Sequence, residues 1–304
     1  MNSPADASRM GPTMARSMQR GQRKVESPAG SAGVRRAGWP LALLASLLSG
    51  VACRVAVADS AALPPAEAVA AWVRLKGDAR GRINYEWVRG AAHGLPDDAR
   101  SQPLFRFESV TVRRFLPQGP GRWREVNYAC RLYRDFATGA VIDRMVNPFN
   151  GREVPLPARC SDGPTVLYSS DGVSLERDIG FRSSALDAPM RLELTDLGRR
   201  YVLRREAHSE YRAAATGQLR RETSVDVFSV DARAFRDRRI ADLQADYHWS
   251  SVTQWMPALG MGERGGRMLW SIDGRKFSRA TDLPRDFRLA LLAAVPDALT
   301  RPLE

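Results

Sequence analysis

His248 is the residue of this chain best suited to moving a proton, because an unperturbed imidazole titrates near neutrality. It lies in DYHWSSVTQWMPALGMGERGGRMLW, residues 246 to 270, with Trp249, Trp255 and Trp270, three of the seven Trp in the chain. Tyr247, Gln254 and Met256 crowd into the same stretch. Two readings account for this composition. One is core, since Trp buries a large area where a helix meets a sheet. The other is the wall of a small-molecule cavity, whose usual lining is flat aromatics with a few polar tips. Met256, Met261 and Met268 would add an adaptable apolar surface. Gly260, Gly262, Gly265 and Gly266 mark a flexible loop with the composition of a lid.

Other segments offer partners for that chemistry. In Tyr133-Arg134-Asp135, the Asp135 carboxylate is a general base if it is buried near a ligand, or a cap on local backbone if it only opens a turn. In NPFNG, residues 147 to 151, Pro148, Asn150 and Gly151 are explained by a hairpin tip. That leaves Asn147 and the preceding Arg144 free to contact a ligand. Glu263 is a further acid–base partner for His248. Glu263, Arg264 and Lys276 read as surface groups unless the Gly-rich loop folds inward. His208 sits among charges and His93 in a loop, so no His-rich metal site is expected, and no cofactor. The chain contains no G-x-S-x-G, H-E-x-x-H, C-x-x-C, P-loop or strand-following G-x-G-x-x-G.

These residues need elements to hold them. LPPAEAVAAWVRL, residues 63 to 75, has Pro at its start and Ala66, Val69, Trp72 and Val73 at helical spacing. After KGDARG the period becomes two. Ile83, Tyr85 and Trp87 alternate with Arg82, Asn84 and Glu86; Val126, Tyr128, Cys130 and Leu132 with Asn127, Ala129 and Arg131. Met190, Leu192 and Leu194, and Thr223, Val225 and Val227, alternate likewise with polar neighbours. Each reads as a strand with one dry and one polar face. In PLFRFESVTVRRF, residues 103 to 115, the apolar phase slips from Phe105 and Phe107 to Val110 and Val112, which predicts a β-bulge near Ser109. Asx-Gly and Gly-Pro turns recur between the runs. LPRDFRLALLAAV, residues 283 to 295, reads as a closing helix. The expectation is a mainly β, antiparallel, barrel-like or sandwich sheet with an N-terminal and a C-terminal helix packed on it.

The N-terminal region gives an address. Arg35 and Arg36 precede the apolar run WPLALLASLLSGVA, residues 39 to 52, and Ala56-Val57-Ala58 precedes Asp59. A basic n-region, a short h-region and an A-x-A end predict a secretory signal cleaved near Ala58, hence a periplasmic protein. The run is too short to span a bilayer, and no membrane span is expected in the mature chain. Translation from Met14 or Met18, a twin-arginine signal at Arg35-Arg36 and lipidation of Cys53 are the alternatives. The domain expectation is a leader over 1–58 and one mainly β domain over 59–304. Net charge is +12 for the whole chain, but the leader carries 8 Arg/Lys against 2 Asp/Glu, which leaves +6 on the remainder. With 43 Arg and 3 Lys and no basic run interleaved with aromatics, nucleic acid is not an expected partner. Cys130 and Cys160 form a disulfide in an oxidising compartment or remain two buried thiols; spacing alone does not decide between them.

YRDFATGAVIDRMVNPFNGREV, residues 133 to 154, and WMPALGMGERGGRMLWSIDGRK, residues 255 to 276, carry a resemblance, as does LKGDARGR, residues 75 to 82. The chain resembles the bacterial family known as domain of unknown function 1838 over roughly residues 65 to 303. The resemblance implies one full-length domain and no particular reaction.

Taken together, the expected function is the binding of a small apolar or aromatic molecule in an aromatic-lined pocket by an exported protein of open oligomeric state. Tyr133, Arg144, Asn147, Tyr247, Trp249, Gln254, Trp255 and Trp270 are the candidate contacts. The alternatives are a cofactor-independent lyase, isomerase or hydrolase with His248 as acid or base, Asp135 or Glu263 as its partner and Arg144 holding an anionic group, and an envelope interaction module.

Overall fold

The computed structural model describes residues 60–177, 181–212, 217 and 219–303. The expected leader, its start codons and Cys53 lie outside the described residues. Strand β1 (Ser60–Ala62) precedes helix α1 (Pro65–Lys76). Then β2 (Asn84–Pro96), β3 (Gln102–Pro117) and β4 (Trp123–Arg134) form a long meander. Six short strands follow: β5 (Val141–Ile142), β6 (Arg144–Val146), β7 (Glu153–Pro155), β8 (Arg159–Asp162), β9 (Val166–Ser169) and β10 (Gly172–Leu175). After β11 (Phe181–Ser183) and β12 (Glu193–Asp196) come the long β13 (Arg200–Arg212) and β14 (Leu219–Asp231). Helix α2 (Ala232–Arg236), β15 (Ala245–Thr253), β16 (Gly266–Phe277) and α3 (Arg285–Ala294) complete the fold.

The main sheet runs β1-β12-β13-β14-β15-β16-β2-β3-β4-β9-β10, every pair antiparallel, with β5 and β8 also on β4 and β11 on β13. Strand pairing does not close it. Among the described residues, the turn after β11 spans the gap: Asp187 N donates to Val173 O (2.7 Å) and Val173 N to Ala188 O (3.3 Å). The sheet is therefore barrel-like with an irregular seam. The β6–β7 hairpin stands apart.

Helix α1 packs against one wall of this sheet. Trp72 meets Phe228 edge-on at 5.8 Å, and Lys76 Nζ pairs with Glu86 at 2.9 Å. Its Arg74 guanidinium caps the carbonyls of Phe235, Asp237 and Ile240 around α2. Gly77 lets the chain leave the helix beside Phe115, where a Cβ would lie 2.4 Å from that ring. Helix α3 covers the other face of β3 and β4, burying Leu283, Phe287 and Leu291 against Val110, Val112, Tyr128 and Leu132.

Two expectations are corrected. No bulge occurs near Ser109: β3 pairs with β4 without interruption from Arg106 to Pro117. Phe105, Phe107 and Ser109 point to one side and Val110 and Val112 to α3, so the shift of phase reflects burial on both faces. The register shift lies further back, where Ala92 pairs with Phe105 and His93 with Pro103. Second, the alternation predicts one dry and one polar face, which leaves only the dry one buried. On β2, β3, β4 and β14 the polar face is buried instead: Asn84, Glu86, Arg113, Glu125, Ser224 and Asp226 are all less than 9% exposed.

Candidate functional site

The buried polar face forms a paired ionic network at one end of the hollow. Glu86 accepts from Lys76 (2.9 Å) and from Arg113 Nη1 (3.0 Å). Arg113 Nε also binds Glu125 at 2.5 Å, and Tyr168 donates its hydroxyl to the second Glu125 oxygen at 2.7 Å. Tyr247 donates to Asp226 at 2.7 Å and stacks on Phe228 at 4.8 Å, and Lys76 sits 4.2 Å from its ring. Lys276 is held by Asp242 (2.7 Å) and by the carbonyls of Arg74 and Gly77. Burial would raise the Glu86 carboxyl, but the neighbouring Lys76 and Arg113 charges outweigh it and hold it at about 2. Burial lowers the Lys276 ammonium to about 8 against the opposing pull of Asp242. Every charge here has an opposite partner, which is the condition for burying it. The arrangement ties α1 to the sheet and pairs its charges with one another, not with a ligand.

Beyond the network the same concave face opens into a cavity of about 550 Å³. It is walled by β14, β15, β16, β2, β3 and β4, which present alternate residues inward. Phe107, Tyr133, Trp249 and Trp270 supply aromatic surface, and Val88, Ile272 and Met256 fill between them. Trp270 is fixed by edge contacts to Phe105 (5.7 Å) and Phe107 (5.4 Å), with its N–H on the Thr253 hydroxyl at 3.1 Å. Polar groups are few in type: Ser109, Thr111, Thr253, Gln254, Glu222 and four arginines, Arg131, Arg159, Arg220 and Arg221. Burial raises the Glu222 carboxyl, opposed by a hydrogen bond from Ser251. A smaller hollow of about 310 Å³ under Trp72 and Tyr168 shares Glu222 and Trp249 with the cavity. A volume of this size, with aromatic walls and a few polar groups, suits a small organic molecule.

The structure brings Tyr133, Trp249, Gln254 and Trp270 together around this cavity. The other candidate residues lie elsewhere. Tyr247 belongs to the ionic network. Trp255 packs on Phe149 at 5.6 Å and borders a separate hollow of about 590 Å³ under the Gly-rich loop, next to Gln254 and Met256. Asn147 is fully buried and structural: its Nδ2 donates to Leu259 O at 2.8 Å and its Oδ1 accepts from Phe149 N at 2.9 Å. Arg144 is exposed on the β6–β7 hairpin, paired with Asp143 and Glu153 at 3.1 Å. Asp135 caps a turn, accepting from Ala137 N, Thr138 N and the Thr138 hydroxyl. His248 projects from the opposite face of β15 to Trp249, is exposed, and bonds Asp273 at 3.1 Å. His248 is on β15 and Asp135 follows β4, with β16, β2 and β3 between those strands, and neither lines the cavity. Their pairing as acid and base has no geometric support.

The Gly-rich loop is docked. Arg264 reaches Asp98 (2.8 Å) and Phe149 O (3.1 Å), Trp255 N–H bonds Arg264 O (3.1 Å), and Asn147 and Asn150 hold Leu259 O. Glu263 is exposed, as expected, whereas Lys276 is buried through the ionic network and not by any folding of the loop. Cys130 and Cys160 face each other across β4 and β8 and are joined as a disulfide.

Sequence reasoning missed Phe107, Ser109, Arg131, Arg159, Arg220 and Glu222. For Arg131 and Glu222 the available signal is their place on the polar face of an alternating run; Arg159 and Arg220 lie outside those runs, and Phe107 reads as core.

Comparison with curated proteins gives no match. Among solved structures, one similar chain is Ail, the attachment invasion locus protein of Yersinia pestis, at 10% identity and a TM-score of 0.21 over 65% of this chain and 99% of that one. Nothing about this chain follows from so low a score. The family profile described as "Protein of unknown function (DUF1838)" matches residues 81–302, and the chain belongs to that family.

Proposed function

We propose that this chain is an exported binding protein that holds a small apolar or aromatic molecule in the cavity between β14 and β4. The observation that carries this reading is the approximately 550 Å³ hollow with Phe107, Tyr133, Trp249 and Trp270 on its walls. Those rings are fixed by neighbours before any ligand arrives, so little ordering entropy remains to oppose binding. Export is supported by the signal-like pattern over residues 35 to 58 and by the Cys130–Cys160 disulfide, which suits an oxidising compartment.

Trp249 and Trp270 make the test direct. The protein from Asp59 onward is titrated with aromatic, steroid-like and fatty molecules while Trp emission is followed. A saturable change is expected for some members. Ala129, on the cavity wall, is then replaced: Ala129→Trp fills the space and is expected to abolish the response with the fold intact by circular dichroism. Binding that survives this substitution would place the ligand elsewhere, and no response to any compound would remove the reading. Expression of the full chain, with mass analysis of the exported product, is expected to give a mature protein that begins at Asp59.

A further inference from the structure

Arg131 of β4 and Arg159 of β8 are direct cross-strand partners, and both line the cavity. Side chains at such positions lie about 5 Å apart at Cβ, and like charges there repel. Neither guanidinium has a hydrogen bond or ion pair among the described residues. Elsewhere on these walls the arginines are committed: Arg221 to Glu210 at 2.7 Å, and Arg220 to the Trp255 carbonyl. The register that sets Arg131 against Arg159 is locked by the adjacent pair, since Cys130 and Cys160 are bonded on the opposite face of the same two strands. The fold thus sets two unpaired cations side by side at the cavity, Arg131 half-buried and Arg159 exposed at its rim.

A third group points the same way. Tyr133 is two residues from Arg131 on the same face, about 7 Å along the strand. Its side chain is only 3% exposed, it lines the cavity, and its hydroxyl has no hydrogen-bond partner among the described residues. The hydroxyl is reached from the cavity and can donate to an acceptor bound there. With Arg221 neutralised by Glu210, three arginines face one acid on the cavity wall, Glu222. The field inside is positive, next to a wall of aromatic rings.

We propose that the ligand is an organic anion: an apolar or aromatic body lies on Phe107, Trp249 and Trp270, and an oxyanion head, as in a carboxylate, is gripped between Arg131 and Arg159 beside the Tyr133 hydroxyl. This rests on the cavity being a binding site. A guanidinium pair suits the head because each fork can donate two parallel N–H bonds to a carboxylate.

The probes are pyrenebutyrate and its neutral amide, pyrenebutanamide, followed by energy transfer from Trp and by calorimetry. The wild-type protein is expected to bind the acid at least tenfold tighter than the amide, with only the acid weakened by salt. Arg131→Gln and Arg159→Gln are each expected to lower acid affinity at least tenfold and to change amide affinity less than twofold. Both variants should fold, because each relieves a like-charge contact; a melting temperature equal to or above wild type is the expected sign. Arg131→Lys should recover only part of the preference, since it restores charge without the fork. Equal binding of acid and amide, or equal losses for both in Arg131→Gln, would overturn the anion while leaving the cavity reading intact. Binding of neither probe would overturn both.

Discussion

At the scale of single residues, burial decides what each polar side chain does. Asn147 has no exposed surface and holds two separate segments, the 147–151 turn and the Leu259 carbonyl. Asn147→Ala would leave the Phe149 N–H and part of the Leu259 carbonyl's bonding unsatisfied, at about 2 kcal/mol. The expected outcome is a melting temperature lower by roughly 5 °C, with faster amide exchange confined to residues 255 to 265. Unchanged exchange there would show that Asn150, Trp255 and Arg264 hold the loop without it. His248 has the opposite character. It is exposed, and its contact to Asp273 is a surface pair of the kind that contributes little. His248→Ala is expected to change stability by less than about 0.5 kcal/mol and ligand affinity not at all. A loss of any measured turnover in that variant would reinstate the acid–base reading. The aromatic segment around His248 was legible as an unusual cluster because Trp is rare. Its division into core (Trp255), network (Tyr247) and cavity wall (Trp249, Trp270) was not, because Tyr247 and Trp249 share one face of β15 and the sequence does not say where along that face the packing gives way to a hollow.

At the scale of elements, the strand alternation was readable and its direction was not. On β4 the run Tyr128, Cys130, Leu132 is dry, as its composition requires, but it is dry under α3 rather than inside the sheet. The polar run Ala129, Arg131, Tyr133 faces the cavity. The usual inference from alternation assumes one covered face. Here a C-terminal helix covers one face and curvature encloses the other, so both are buried and the polar one carries the site. The short β8 shows how local covalent chemistry positions a functional residue. It is four residues long and is joined to β4 by the disulfide, whose Cα atoms are 4.0 Å apart and 30 residues apart in sequence. A loop of that length implies about 3 to 4 kcal/mol of stabilisation in the chain-entropy account. Cys130→Ser with Cys160→Ser, or reduction of the wild type, is expected to lower the unfolding free energy by that order. It should also speed amide exchange in β8 selectively and weaken binding of an anionic ligand by freeing Arg159. A reduced protein with unchanged exchange in β8 would show that main-chain pairing alone fixes the strand.

At the scale of the whole molecule, α1 is joined to the barrel-like sheet by buried ions, and this makes the fold sensitive to acid in a calculable direction. Glu86 links Lys76 of α1 to Arg113 of β3 and is held at about 2, below its ordinary 4.5. Its folded value is depressed, so its contribution is complete above the ordinary value and is lost as pH falls from about 4.5 toward 2. In that window the unfolded chain takes the proton first, and the slope of stability with pH is positive. The size of the contribution is on the order of 3 kcal/mol. Other carboxylates with lowered values, such as Asp98 and Asp135, act in the same direction, so the wild-type curve alone does not isolate Glu86. Glu86→Gln does. It leaves Lys76 and Arg113 short of a counter-charge, and the variant is expected to be less stable than wild type by about 3 kcal/mol or more at neutral pH. The difference between the two should then shrink steadily as pH falls through the window, because protonation makes the wild-type side chain resemble the amide. Urea unfolding of both proteins at intervals from neutral pH to below pH 3 measures this. Parallel curves would mean that Glu86 does not carry the linkage between helix and sheet, and that α1 is held by Trp72, Arg74 and their apolar neighbours instead.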